Sequence, residues 1–164
     1  FKSMAMPDRE PGDILSRLNT DLAENNDACM FVTLFCGILD IRTGEIRFAN
    51  AGHNPPIQIR TLADVAYFDT FNEPAAGILE GFDYATYTLQ LAPGDILYLY
   101  TDGVTEAMSP ANALYSESRL LREVTMNRAQ SPAGLISCVL DDVRTHVAEA
   151  EPSDDITMLA LRFN

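Results

Sequence analysis

The chain has 164 residues, 24 acidic against 11 basic side chains and a formal charge of -13, with 47% hydrophobic residues. That length suits one domain with a substantial core and no internal linker. The charge would repel a nucleic-acid backbone or an anionic membrane, so neither is expected as a partner, whereas a cation or a basic protein surface is readily accommodated.

The opening stretch Phe1–Met6 is too short for a secretion signal and reads as the tail of a helix cut from something longer. Asp8 and Pro11 precede Ile14, Leu15, Leu18 and Leu22, which predicts an amphipathic helix over about residues 11–25. Met30 to Leu39 is almost uninterrupted apolar sequence, Arg42-Thr43-Gly44 makes a turn, and Glu45 to Asn50 alternates. This is a hairpin whose first strand is expected to be buried on both sides. Pro55-Pro56 breaks the run, a short strand follows over Ile57 to Arg60, and another is expected near Val65 to Phe68.

Tyr84 to Leu91 alternates, Pro93-Gly94-Asp95 supplies a turn, and Ile96 to Tyr100 is continuously apolar. The pattern predicts a second hairpin that ends at Asp102. Two helices follow, one over about Glu117 to Arg128 with Leu120, Leu121 and Val124 inward, the other starting at Ser131-Pro132 with Ile136, Val139, Leu140, Val143 and Val147 on one face. A last strand, Ile156 to Phe163, closes the chain. Strands that are apolar on both faces need cover on both, so the expected fold class is α+β, with stacked antiparallel sheets and outer helices.

Two acidic tips carry the functional signal. Thr101-Asp102-Gly103 ends one apolar strand and Ser153-Asp154-Asp155-Ile156-Thr157 opens the last. Asp is the shortest anionic side chain, and two of them fixed at strand ends can hold a hard divalent cation. Taken singly, an Asp-Gly turn and an Asp-Asp strand cap need no function. His53, in Asn50-Ala51-Gly52-His53-Asn54-Pro55-Pro56, titrates near neutral pH and could serve as a general acid, but a loop residue bonded within its own turn is favoured. Thr101 and Thr105 read as turn caps or as orienters of a bound water, and His146 has no assigned role. Cys29, Cys36 and Cys138 lack Cys-x-x-Cys spacing and read as reduced structural thiols, which points to the cytoplasm. Met108, Met126 and Met158 read as core filling, and without Cys or His at suitable spacing zinc is not expected.

The strand ending Thr101-Asp102-Gly103-Val104-Thr105-Glu106-Ala107, the strand start Asp154-Asp155-Ile156-Thr157, and Phe31-Val32-Thr33-Leu34-Phe35 leading to Asn50–Pro56 resemble the metal-dependent protein phosphatase family. This is the protein phosphatase 2C superfamily in its bacterial SpoIIE-like branch, and the likeness runs over essentially all of residues 1–164. The resemblance implies a layered α/β/β/α sandwich with two Mn2+ or Mg2+ ions at one edge. It also implies hydrolysis of phosphoserine or phosphothreonine by a metal-activated water, which requires no side-chain nucleophile.

Carried over by position, the resemblance implies Asp102 and Asp154 as metal ligands and Asp155 as a weaker match, either an accessory ligand or a group lying behind the ligands. Gly103 is expected to let the backbone turn sharply beneath the metals. The family's earlier Gly-Asp motif, whose Asp bridges the metals, has no counterpart here. Gly12-Asp13 falls in a helical first turn, so the domain is expected to be N-terminally truncated, to bind metal weakly and to be nearly inactive alone. The branch implies an anti-anti-sigma factor as phosphoprotein substrate and an upstream sensor domain, or the receiver domain of a response regulator; it leaves a homodimer open. The rival reading is a non-catalytic regulatory or protein-binding module that keeps the fold.

Overall fold

A computed structural model describes residues 9–24, 26–61, 64–68, 73–150 and 154–164. Among the described residues, eleven helices and strands group into two compact units, one within 1–53 and 70–91, the other within 54–69 and 92–164. The expected Asp8 start signal, the 1–6 tail and Ser153 lie outside the described residues.

In the first unit α1 spans Pro11–Ala23, with Pro11 at its first position, where the missing N–H costs nothing. Three strands follow, β1 (Leu34–Leu39), β2 (Glu45–Ala51) and β5 (Tyr87–Gln90), in the antiparallel order β1-β2-β5. The β1–β2 hairpin is as predicted, with Leu39 opposite Ile46 and Leu34 opposite Ala51. Leu15 of α1 packs with Ala49, Ala51, Ala76 and Tyr84. Small residues on β2 let the helix approach the sheet closely. Glu10 pairs with Arg47 across this contact.

The sequence predicts a doubly buried β1, but the strand is half-exposed along its length. It occupies a sheet edge with β2 as its one strand neighbour, so its apolar pattern exceeds the cover it receives among the described residues.

The second unit contains β3 (Ile57–Ile59), β4 (Val65–Tyr67), β6 (Ile96–Tyr100) and β7 (Met158–Arg162), ordered β4-β3-β6-β7 and antiparallel throughout. Its helices are the single turn α2 (Asp102–Thr105), α3 (Glu117–Met126) and α4 (Pro132–Val147). Ser116 and Ser131 cap α3 and α4 by accepting from backbone N–H groups. Ile96, Tyr98 and Tyr100 alternate onto the face that meets Leu120, Val124, Leu135, Val139 and Val143, forming one core. Burial of that many large side chains is the main stabilising term of this unit.

The second hairpin does not form. β5 pairs with β2 and β6 pairs with β3 and β7, so the two consecutive strands lie in different sheets. Asp95 explains the turn between them. Its buried carboxylate accepts from the N–H groups of Ala92 and Thr61, which fastens the turn to the end of β3 rather than closing a ladder with β5. Gly94, at φ +93°, sits so close to Thr61 that a side chain would strike its hydroxyl.

Three further expectations change. Cys29 is exposed rather than packed as a small hydrophobe. Met126 and Met108 are exposed, while Met158 packs against the core and accepts a hydrogen bond from Tyr98 Oη at 2.8 Å. Among the described residues no helix is long and apolar enough to cross a membrane.

Candidate metal centre

β6 delivers Asp102 at its C-terminal end, and β7 is entered through Asp154 and Asp155. The two strands are direct neighbours with Tyr100 opposite Met158, so both tips lie at one end of this pair. Beyond the ladder the contact continues through Thr101. Its N–H donates to the Thr157 carbonyl at 3.0 Å, its hydroxyl donates to the Asp155 carbonyl at 3.1 Å, and the same oxygen accepts from Thr157 N–H at 3.0 Å. Thr101 is a clasp between the two acidic segments, and its side chain does not cap α2. A Thr facing an Asp-Ile-Thr across a strand pair is the signal that could have found it.

Gly103 has a different reason from the one expected. Its backbone is not left-handed. A Cβ there would fall on the Asp155 carbonyl and within 3.4 Å of the Asp154 carbonyl carbon, so the glycine is needed for close approach of the two segments. Asp102 opens α2 and its Oδ1 accepts from Gly103 N–H at 3.0 Å, while Asp154 Oδ1 accepts from Asp155 N–H at 2.7 Å. Each carboxylate is thus oriented by its own backbone, one oxygen engaged and the side chain exposed. Within the described residues none of the three carboxylates forms an ion pair with Lys or Arg.

This donor set fits a hard cation. Its side-chain groups are carboxylate oxygens on backbone-fixed aspartates, and among the described residues none is ion-paired with a basic side chain and no His or Cys joins them in a metal-binding group. It is also a partial set, because the described residues contain no group of three or more His, Cys, Asp or Glu close enough to hold an ion.

The other residues singled out from sequence find structural partners. His53 N–H donates to Asn50 Oδ1 at 3.0 Å and its carbonyl accepts from Asn50 Nδ2 at 2.9 Å, as a turn residue would. Thr105 Oγ1 donates to the Asp102 carbonyl. His146, assigned nothing from sequence, belongs to a network on α3 and α4. Arg119 holds Asp142 through two 2.8 Å bonds, Tyr115 Oη donates to the same carboxylate at 2.7 Å, and Arg119 Nη1 lies 2.8 Å from His146 Nδ1. Arg119 can only donate, so His146 Nδ1 accepts and its Nε2–H donates to the Ala113 carbonyl. The guanidinium holds the Asp142 carboxyl below the usual carboxylate range, helped by Tyr115 and opposed by partial burial.

The family model for Stage II sporulation protein E (SpoIIE) matches residues 1–164. The chain belongs to the SpoIIE family. It is 32% identical over 150 residues to Protein IcfG of Synechocystis sp., covering 90% of this chain and 23% of IcfG. To the phosphoserine phosphatase RsbU of Bacillus subtilis it is 26% identical over 152 residues, covering 93% of this chain and 45% of RsbU. The chain therefore spans less than half the length of these curated relatives. Among solved structures, the SiaA-PP2C domain of Pseudomonas aeruginosa superposes with a TM-score of 0.82 at 22% identity, over 98% of this chain and 63% of that one. The fold is that of PP2C domains, an α+β arrangement of helices and antiparallel sheets.

Proposed function

We propose that residues 1–164 serve as a SpoIIE-type phosphatase domain that removes phosphate from phosphoserine or phosphothreonine in a regulatory protein. The observation that carries this reading is the pair of uncompensated carboxylates, Asp102 and Asp154, clasped together by Thr101 and Gly103 on neighbouring strands of a SpoIIE-family chain. Asp102 and Asp154 would hold Mn2+ or Mg2+, with Asp155 as accessory ligand. Bound there, the ion would supply Lewis-acid charge for the phosphoryl oxygens and a nucleophilic water.

The chain's own part is positional. α2 and the β7 entry carry two carboxylates at one edge, and among the described residues no basic side chain forms an ion pair with them. The likeness to RsbU supports a phosphoprotein substrate, proposed as an anti-anti-sigma factor, acting in the cytoplasm under an upstream sensor or receiver domain. The chain alone is proposed to be nearly inactive, because the resemblance assigns a third, bridging carboxylate to an upstream motif.

The test is manganese-dependent hydrolysis of a phosphoserine protein and of an aryl phosphate, by this chain and by a form extended upstream. Activity in the extended form that Asp102→Ala or Asp154→Ala removes is the expected outcome. An extended form that is inactive with several metals and substrates would favour the non-catalytic module.

A further inference from the structure

At the opposite end of β6 and β7 from the acidic tips, where Ile96 stands across from Arg162, lies a cavity of about 490 Å³. Arg60, Arg128 and Arg162 line it together with Thr61, Gly94 and Asn164. Three of the chain's 11 basic residues thus converge on one cavity in a protein of formal charge -13.

Their charge is not used internally. Each guanidinium donates to a neutral oxygen: Arg60 to Gln58 Oε1 at 3.2 Å, Arg128 to the Thr125 carbonyl at 3.2 Å, and Arg162 to the Gln130 carbonyl at 2.6 Å. None forms an ion pair within the described residues. Arg162 Nε is buried and has no hydrogen-bond partner. Asp95, next to the cavity-lining Gly94, has its two carboxylate oxygens taken by the N–H groups of Thr61 and Ala92.

We propose that this cavity is a binding site for a phosphate-class oxyanion, carried as free phosphate or on a nucleotide. Planar guanidinium forks match the tetrahedral oxygens of phosphate, and charge-assisted bonds to it are about twice as strong as neutral ones. The volume lies within the range of small-molecule sites, roughly 300–1,000 Å³, and has room for more than one phosphate. Arg162 Nε supplies a desolvated donor whose burial is otherwise uncompensated. The site is separate from the acidic tips and independent of the phosphatase reading.

The test is a calorimetric titration of this chain with inorganic phosphate and, separately, with ATP, in chelator and at matched ionic strength. Saturable binding is expected for at least one of them. The Arg60→Gln/Arg128→Gln double variant, altered at two exposed positions, should weaken it at least about tenfold, and Arg162→Gln should do so where the variant's melting curve shows it folded. Arg42→Gln, remote in sequence and paired with Asp40, and Asp102→Asn should leave it unchanged. Binding of phosphate and ATP alike identifies free phosphate as sufficient, and binding of ATP alone identifies a nucleotide. No saturable binding of either, binding that the Arg60/Arg128 double variant retains in full, or binding that Asp102→Asn alters would overturn the proposal.

Discussion

The acidic tips and the Arg119–Asp142 network are both built on the second unit, and they treat a carboxylate in opposite ways. Asp142 is saturated: two guanidinium bonds and a tyrosine hydroxyl meet its oxygens, and its partners Tyr115 and Arg119 stack at 5.0 Å. Asp102, Asp154 and Asp155 are exposed; the carboxylates of Asp102 and Asp154 accept from backbone N–H groups of their own segment, and the Asp155 carbonyl accepts from the Thr101 hydroxyl. A carboxylate that serves the fold has its charge answered within the fold. One whose charge is left open while its backbone is fixed is suited to a partner from outside.

The contrast breaks most sharply under substitution. In the upstream-extended protein, Asp102→Ala and Asp154→Ala are each expected to lower manganese-dependent turnover at least about 100-fold, more than loss of an outer-shell group would. Melting of the same variants should move by no more than about 1 kcal/mol of unfolding free energy. Comparable losses of stability and activity would mean that the tips are structural.

Gly103→Ala should affect both properties. The added methyl meets the Asp155 carbonyl, and equilibrium denaturation is expected to show a loss of about 1–3 kcal/mol together with weakened metal binding. Asp142→Ala strands Arg119 and the Tyr115 hydroxyl, at an expected cost of about 1–3 kcal/mol with turnover per folded molecule unchanged. Urea titration paired with a turnover assay would show whether the two properties separate. Thr101→Val, which removes the hydroxyl clasp but keeps the strand, should cost about 1 kcal/mol and reduce metal affinity.

The smallest expected effect is in pH. Asp142 titrates below its unfolded value because Arg119 stabilises the carboxylate. The stability this contributes is present above the ordinary Asp pKa, near 3.9, and is lost as pH falls through the lower folded value. Denaturation midpoints measured from about pH 5 downward should fall less steeply in Asp142→Asn than in the parent. Equal slopes would remove Asp142 from the acid response.

Sequence pattern was most legible where an element's neighbours are local or its burial is complete. β6 falls on its expected residues, and α3 and α4 bury the predicted Leu120, Val124, Val139 and Val143. β1 shares β6's apolar composition yet is half-exposed, because composition records what a strand could bury and not how many neighbours it has. The β5–β6 hairpin failed for a related reason. Pro93-Gly94-Asp95 is sound turn chemistry, but the Asp95 side chain answers to Thr61, 34 residues away, and no short-range pattern carries that. At the candidate centre the aspartates were visible as types, whereas Thr101 as a clasp and Gly103 as a close-approach residue depend on a register that appears only once β6 and β7 pair. The His146 network is tertiary in the same sense, joining residues 27 apart through one guanidinium.

The clasp at Thr101 joins residues 54 positions apart. Closing so long a loop exacts its entropy before any ladder bond repays it, and α3 and α4, whose own backbone hydrogen bonds are local, lie inside the loop. During synthesis Asp102 emerges from the ribosome, followed by both helices, well before the strand that fixes its neighbour. The two acidic tips are therefore brought into register only after β7 has been made, and a nascent chain lacking β7 carries Asp102 without its neighbouring carboxylates.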